Sequence, residues 1–186
     1  TIALGANRVA LVSRIDSWID TSKGLLCRAR LGAAAVPVCW HPQAADALIE
    51  PAARSRGIVS TLAFEREAPT HARADLKRLR QVLVNLLSNA VKYNAEGGRI
   101  DVTVRAFAPD GVDIVVRDTG PGLDPVALQR IFEPFERLGQ ERGNVEGTGI
   151  GLAIARGLVR DMGGGLSVTS APGEGCTFNL VLPMAH

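Results

Sequence analysis

Asn85, Asn89 and Lys92 fall within one arc of roughly 60° when the stretch from Asp75 to Tyr93 is wound at about 100° per residue, with Tyr93 at the edge of that arc. On the same wheel Leu76, Leu79, Leu83, Leu86, Leu87 and Ala90 form an apolar stripe on a different side. Two carboxamides and an ammonium beside a buried stripe need partners, because such groups desolvate at a cost. Carboxamide oxygens suit a hard cation such as Mg²⁺, which takes few protein ligands and completes its shell with water and phosphate. The ammonium suits a phosphate as a point charge. For this helix taken alone, a core helix with a solvated polar face is the competing account.

Four further stretches carry residues of the same kind. Asp118-Thr119-Gly120-Pro121-Gly122 follows a run ending at Arg117. Its glycines let the backbone turn sharply and approach a flat ligand, and its carboxylate can accept from an exocyclic amine such as that of adenine. An Asx-type turn explains the same residues without a ligand. Glu146 to Leu152, with Gly147, Thr148, Gly149, Ile150 and Gly151, precedes an apolar helix over Ile150–Met162. It lacks the spacing of the dinucleotide fingerprint. Glycines before a helix start present free N–H groups and a positive dipole end, a seat for phosphate; a flexible loop is the plain alternative. Phe132 and Phe135 lie three apart and read first as core packing, with the polar stretch Leu138–Glu146 after them as a mobile lid. Arg137 and Arg142 can reach a phosphate from that lid or remain solvated charges. Gly173 to Phe178, with Cys176 and Thr177, opens the last strand and reads equally as a hairpin turn.

The elements that must hold these residues alternate between helix and strand. Residues 1 to about 30 read as a helix, with Leu4, Leu11, Ile15, Trp18, Ser22 and Leu25 at 4–3 spacing. Such a stripe needs a partner surface, and a parallel dimer through this helix is expected. Gly32 and the alanines after it form a joint. Val36–Trp40 is a short strand, Pro42–Arg56 a helix ended by Gly57, Ile58–Phe64 a strand, and Glu65–Arg73 a charged loop. Ile100, Val102, Val104 and Ala106 alternate with polar residues as a half-buried strand. It turns at Pro109-Asp110-Gly111, with Gly111 expected in the left-handed position, and pairs back through Val112, Ile114 and Val116. Leu166–Ser170 and Cys176–Leu182 form a second such hairpin. Mixed helices and long hairpins predict a two-layer α/β (α+β) sandwich rather than a doubly wound parallel sheet.

Composition narrows the function. The chain has 186 residues, a net charge of +2, 46% apolar residues and only 4% aromatic ones. That is one domain with a small appendage and an aliphatic core, and it gives no basis for nucleic-acid binding. Cys27, Cys39 and Cys176 are far apart, which excludes a zinc knuckle or disulfide framework and fits a reducing, cytoplasmic setting. No apolar run reaches the ~20 residues of a membrane span. The first residue, Thr1, suggests an excised fragment, so an anchor elsewhere in a longer protein stays open.

Taken in order and spacing, these stretches resemble the ATP-binding catalytic domain of two-component histidine kinases over roughly residues 36–183. Asn85 to Tyr93 is similar to the family's asparagine box, Asp118 to Gly122 to its first glycine box, and Phe132 to Phe135 to its phenylalanine box. Gly147 to Leu152 and Gly173 to Phe178 resemble the two later glycine boxes. The resemblance implies a Bergerat-type fold: a mixed, mostly antiparallel sheet covered on one face by helices, preceded here by an N-terminal helix. Residues 33–186 would be the catalytic domain. Residues 1–32 would be the second helix of a dimerisation hairpin and its linker. By position, Asn89 would coordinate Mg²⁺ with Asn85 beside it, Lys92 would touch phosphate, and Tyr93 would contact base or ribose. Asp118, Gly120 and Gly122 would hold the adenine. Arg137, Gly147, Thr148, Gly149, Ile150, Gly151 and Leu152 would bracket the phosphates, and Thr177 would line the adenine pocket.

Hydrolysing relatives with this fold (type II topoisomerases, the heat-shock chaperone, mismatch-repair ATPases) carry a glutamate where this chain has Asn85. A carboxamide cannot take a proton from water. The resemblance therefore implies ATP presented to an outside nucleophile, a histidine on a dimerisation hairpin, for relay to the receiver domain of a response regulator. His41, His71 and His186 do not fit the acceptor setting, so that histidine is expected upstream of Thr1. A nucleotide-sensing module without catalysis and an ATP hydrolase are the other two readings. The full set of boxes speaks against the first and Asn85 against the second.

Overall fold

The computed structural model describes residues 35–37, 42–65, 71–136 and 149–184. The helix expected over residues 1–30, His41, the lid from 138 to 146, Arg137, Arg142, Gly147, Thr148 and His186 lie outside the described residues.

The chain runs β1 (Ala35–Pro37), α1 (Pro42–Ser55), β2 (Val59–Phe64), β3 (His71–Arg73), α2 (Leu76–Lys92), β4 (Arg99–Phe107) and β5 (Gly111–Asp118). It continues through α3 (Pro125–Arg130), α4 (Gly151–Asp161), β6 (Gly165–Ser170) and β7 (Cys176–Pro183). A five-stranded sheet has the order β2-β4-β5-β7-β6, in which only β2 and β4 run parallel. β1 and β3 form a separate antiparallel pair. This is the two-layer sandwich expected from the hairpin pattern, with the mixed, mostly antiparallel sheet and helical cover that the family resemblance implied.

Helix α2 forms where a capping residue and an apolar stripe coincide. The Asp75 carboxylate accepts from the Arg78 N–H at 2.9 Å and caps the first turn. Leu79, Val82, Leu83, Leu86, Leu87, Ala90 and Val91 are buried. Against them pack the inward residues of the sheet: Ile100, Val102 and Val104 of β4, Val112, Ile114 and Val116 of β5, and Phe178, Leu180 and Leu182 of β7. Each large aliphatic side chain buried here contributes about 1.5–3 kcal/mol relative to exposure. Ala155 and Val159 of α4 complete the same core. The helix stops at Tyr93, whose N–H donates to the Asn89 carbonyl, and the chain turns through Gly97 at φ +69°.

Local details depart from the pattern. Leu76 is 47% exposed, because the first turn of α2 projects past the buried stripe, which begins at Leu79. Ala106 is exposed too, since burial along β4 stops at Val104 as the strand nears its turn. Gly111 does not take the left-handed position; it is already the first residue of β5, paired with Phe107. Part of the expected charged loop is β3, with Ala72 fully buried between β1 and a bridge to Met184. The phenylalanine pair divides: Phe132 packs on the core, whereas Phe135 is 77% exposed.

Candidate functional site

The C-terminal end of α2 meets the C-terminal end of β5. Asp118 ends β5, the central strand of the sheet, and its side chain lies on the core side with Val116 and Ile114. Its Oδ1 accepts from the Gly120 N–H at 2.9 Å and from the Cys176 N–H at 3.3 Å. The residue is 6% exposed, and burial pushes its carboxyl above the ordinary carboxylate value, against the opposing pull of those two backbone donors. The Asx-type turn and the oriented carboxylate are thus the same feature.

Two glycines allow this approach. A Cβ on Gly175 would sit 2.0 Å from the Asp118 carbonyl oxygen, and one on Gly122 would sit 1.9 Å from that of Ala171. Both residues have positive φ, +77° and +69°. Ser170 ties the same loops, donating to the Gly175 carbonyl at 2.6 Å and accepting from the Leu123 N–H at 2.9 Å.

A cleft of about 500 Å³ opens at this meeting point, lined by Arg56, Lys92, Tyr93, Asn94, Ala95, Thr119, Gly120, Pro121 and Gly173. Lys92, Tyr93 and Gly120 were expected at a site, and Thr119, Pro121 and Gly173 belong to stretches singled out in the sequence; Arg56, Asn94 and Ala95 were not expected. The Lys92 ammonium lies 5.4 Å from the centre of the Tyr93 ring. Asn94 is 4% exposed and cross-links the cleft wall. Its Nδ2 donates to the Arg99 carbonyl at 3.0 Å, and its Oδ1 accepts from the Ala95 N–H at 3.0 Å and the Thr119 hydroxyl at 3.2 Å. The Arg56 guanidinium donates to the carbonyls of Val91, Lys92 (2.8 Å) and Asn94 (2.7 Å). An arginine just before a helix-ending glycine is the sole trace of this in the sequence, and nothing in it points to α2.

Asn85 lies two turns toward the N-terminus of α2 from Lys92, and its Nδ2 donates to the Gly151 carbonyl at 3.0 Å. That bond joins α2 to the first residue of α4, alongside Ile150 and Leu152. Asn89 is half-buried on the intervening turn. Gly149, with φ +70°, accepts from the Phe135 N–H at 3.1 Å, and Phe135 is itself left-handed at φ +65°. The residues flanking 137–148 are therefore pinned together beside α4.

Thr177 does not join the group. The register sets it opposite Arg117, and strand alternation turns it to the face away from Phe178 and the helices. Cys176, on the opposite face of the strand, packs on the core and donates its N–H to Asp118. Burial raises the pKa of its thiol.

The donor set bears on metal binding. Among the described residues no three His, Cys, Asp or Glu side chains converge as a metal cage. A cation here would have few protein ligands, the Asn89 carboxamide oxygen among them, and would fill its shell from phosphate and water oxygens, as Mg²⁺ does at phosphate sites. No helix among the described residues is long and apolar enough to cross a membrane.

A mixed sheet under one helical layer, with a buried aspartate at the end of its central strand facing the asparagine-bearing helix, defines a nucleotide-binding class. Residues 74–186 match the family of histidine kinase-, DNA gyrase B-, and HSP90-like ATPases, and the chain belongs to it. The domain binds ATP and is of the histidine-kinase type. The adaptive-response sensory kinase SasA of Parasynechococcus marenigrum is 42% identical over 111 residues, which are 60% of this chain and 29% of that protein. Among solved structures, the mycobacterial sensor histidine kinase MprB superposes with a TM-score of 0.68 at 30% identity, covering 81% of this chain and 97% of that one. Full-length ShkA in complex with AMPPNP gives a TM-score of 0.68 at 36% identity, over 84% of this chain and 32% of that one.

Proposed function

We propose that this chain is the catalytic part of a sensor histidine kinase. It binds Mg-ATP and passes the γ-phosphoryl group to a histidine on a dimerisation hairpin outside residues 33–186, for relay to a response regulator's receiver domain. In this reading Asp118 accepts from the adenine amine, with Gly120 and Gly122 giving the ring close access. Tyr93 contacts base or ribose, and Lys92 holds phosphate. Asn89 would hold the Mg²⁺, with Asn85 beside it; the metal, when bound, neutralises charge on the phosphates. Arg137, Gly147, Thr148, Gly149, Ile150, Gly151 and Leu152 enclose the phosphates. Residues 1–32 are assigned to the hairpin's second helix and linker, which pairs two copies, and the domain works in the cytoplasm.

One observation supports transfer over hydrolysis. Asn85 is a carboxamide whose nitrogen is engaged with the Gly151 carbonyl. It has no basic atom with which to activate water. The chain therefore positions ATP, and an imidazole nitrogen attacks the γ-phosphorus while the bond to the β-phosphate oxygen breaks and ADP leaves.

The test uses a longer native chain that includes the hairpin, given ATP labelled at the γ-phosphate. Acid-labile label on a histidine, absent in Asn89→Ala, is the expected result. Normal ATP binding with no transfer to the hairpin rejects the proposal in favour of a nucleotide-sensing module. Rapid phosphate release without transfer rejects it in favour of a hydrolase.

A further inference from the structure

We infer that Arg56 is a positioning residue for the nucleotide: it fixes the end of α2 from which Lys92 and Tyr93 reach the ligand. The inference rests on the site assigned above and extends it to a residue outside all of the boxes.

An α-helix ends with carbonyls that lack intrahelical partners, and its aligned peptides leave about half a negative charge there. At α2 this end borders the cleft, where a triphosphate would meet a partial charge of its own sign. The Arg56 guanidinium covers it, donating to Val91, to Lys92 at 2.8 Å and to Asn94 at 2.7 Å. Three acceptors spread over four residues match the planar fork of a guanidinium, and a lysine ammonium cannot span them equally.

The anchor is itself held. The Arg56 carbonyl accepts from the Gly97 N–H at 2.9 Å, and the Gly98 carbonyl accepts from the Val59 N–H at 3.0 Å. The turn after α1 and the turn after α2 are thus stitched together, with Gly57 at φ +62° between helix and strand. The Arg56 side chain also lines the cleft. It therefore sets both the conformation and the local charge of the segment carrying Lys92 and Tyr93, without being required to touch the reacting phosphate.

The experiment is a calorimetric titration of the 186-residue chain with Mg-ATP, for the wild type, Arg56→Met and Arg56→Lys. A positioning role predicts a Kd raised about tenfold in Arg56→Met with the number of sites unchanged, and a smaller rise, about threefold, in Arg56→Lys. A merely structural role would lower the number of competent sites and leave Kd where it was. Arg56→Lys keeps the charge and most of the side-chain length, so it decides the matter should Arg56→Met not fold. Wild-type binding with the same Kd in a folded variant overturns the role of Arg56 alone. A wild type that does not bind Mg-ATP overturns this inference together with the site on which it rests.

Discussion

The side-chain nitrogen of Asn85 lies 3.0 Å from the carbonyl oxygen of Gly151, bridging residues 66 apart in sequence. Helix α2 is thereby locked to the start of α4 at the point where the chain returns from residues 137–148. The bond needs a donor on the α2 side. Asn85→Asp is nearly isosteric but turns an oxygen toward an oxygen, leaving the carbonyl unpaired and repelled. The expected loss of stability is about 1–3 kcal/mol, read as a lowered urea midpoint at constant slope.

Asp118 makes a prediction in pH. Burial raises its folded-state pKa above 3.8, so between that value and the folded one the native chain holds a proton that the unfolded chain has released. Stability from this group therefore declines as pH rises through the window and is level above it. Asp118→Asn keeps an Oδ1 to accept from Gly120 and Cys176, so the fold is retained and that slope disappears. Denaturant midpoints measured at a series of pH values from 3.5 or so upward check this. In the wild type, Mg-ATP affinity should fall as the carboxylate is protonated on acidification. In Asp118→Asn it should be reduced more than about tenfold at neutral pH, the scale on which a lost charged acceptor is felt.

The sandwich could be read in advance because its strands alternate and its helices keep their period. Ile100, Val102 and Val104, and Val112, Ile114 and Val116, fall on the core side as their spacing requires. The box residues were legible as types at fixed intervals, and Lys92, Tyr93, Asp118 and Gly120 do converge. What escaped was set by contacts between distant segments. Arg56 reads as a surface charge until its turn is seen against the end of α2. Asp113 alternates outward from the core, yet it is 1% exposed beneath Arg105 and Asn179, which donate to it at 2.8 and 3.1 Å. Thr177 faces away from the helices because in a strand a step of one residue exchanges the faces, and the spacing of the stretch does not say which residue points inward.

Gly173 and Gly175 separate two costs that usually arrive together. Both are left-handed, at φ +81° and +77°. A Cβ on Gly173 meets nothing within 4 Å, whereas one on Gly175 falls 2.0 Å from the Asp118 carbonyl oxygen. Gly173→Ala should therefore lose only the backbone preference, about 1 kcal/mol. Gly175→Ala adds a main-chain collision and should lose a further 1–3 kcal/mol or so. Because the collision displaces Asp118, Gly175→Ala should weaken Mg-ATP binding as well, and more than Gly173→Ala, which adds a methyl at the cleft wall without moving Asp118. Paired thermal melts and nucleotide titrations distinguish the two, and equal losses in both variants would mean that the close approach at Asp118 carries no weight.

Asn89 tests the metal directly. A carboxamide oxygen is a weak ligand by itself, so its contribution should show only when a divalent cation and phosphate oxygens are present to share the shell. Asn89→Ala removes that oxygen from a half-buried surface position on α2, where alanine is a better helix former, so thermal stability should change by less than about 1 kcal/mol. Wild-type ATP affinity should drop severalfold when Mg²⁺ is chelated. In Asn89→Ala the affinity with Mg²⁺ should already sit near that chelated level and respond little to further chelation. Should the variant keep the full Mg²⁺ response, the ligand to the metal lies elsewhere, and Asn85 or a residue of the 137–148 stretch becomes the next to be replaced.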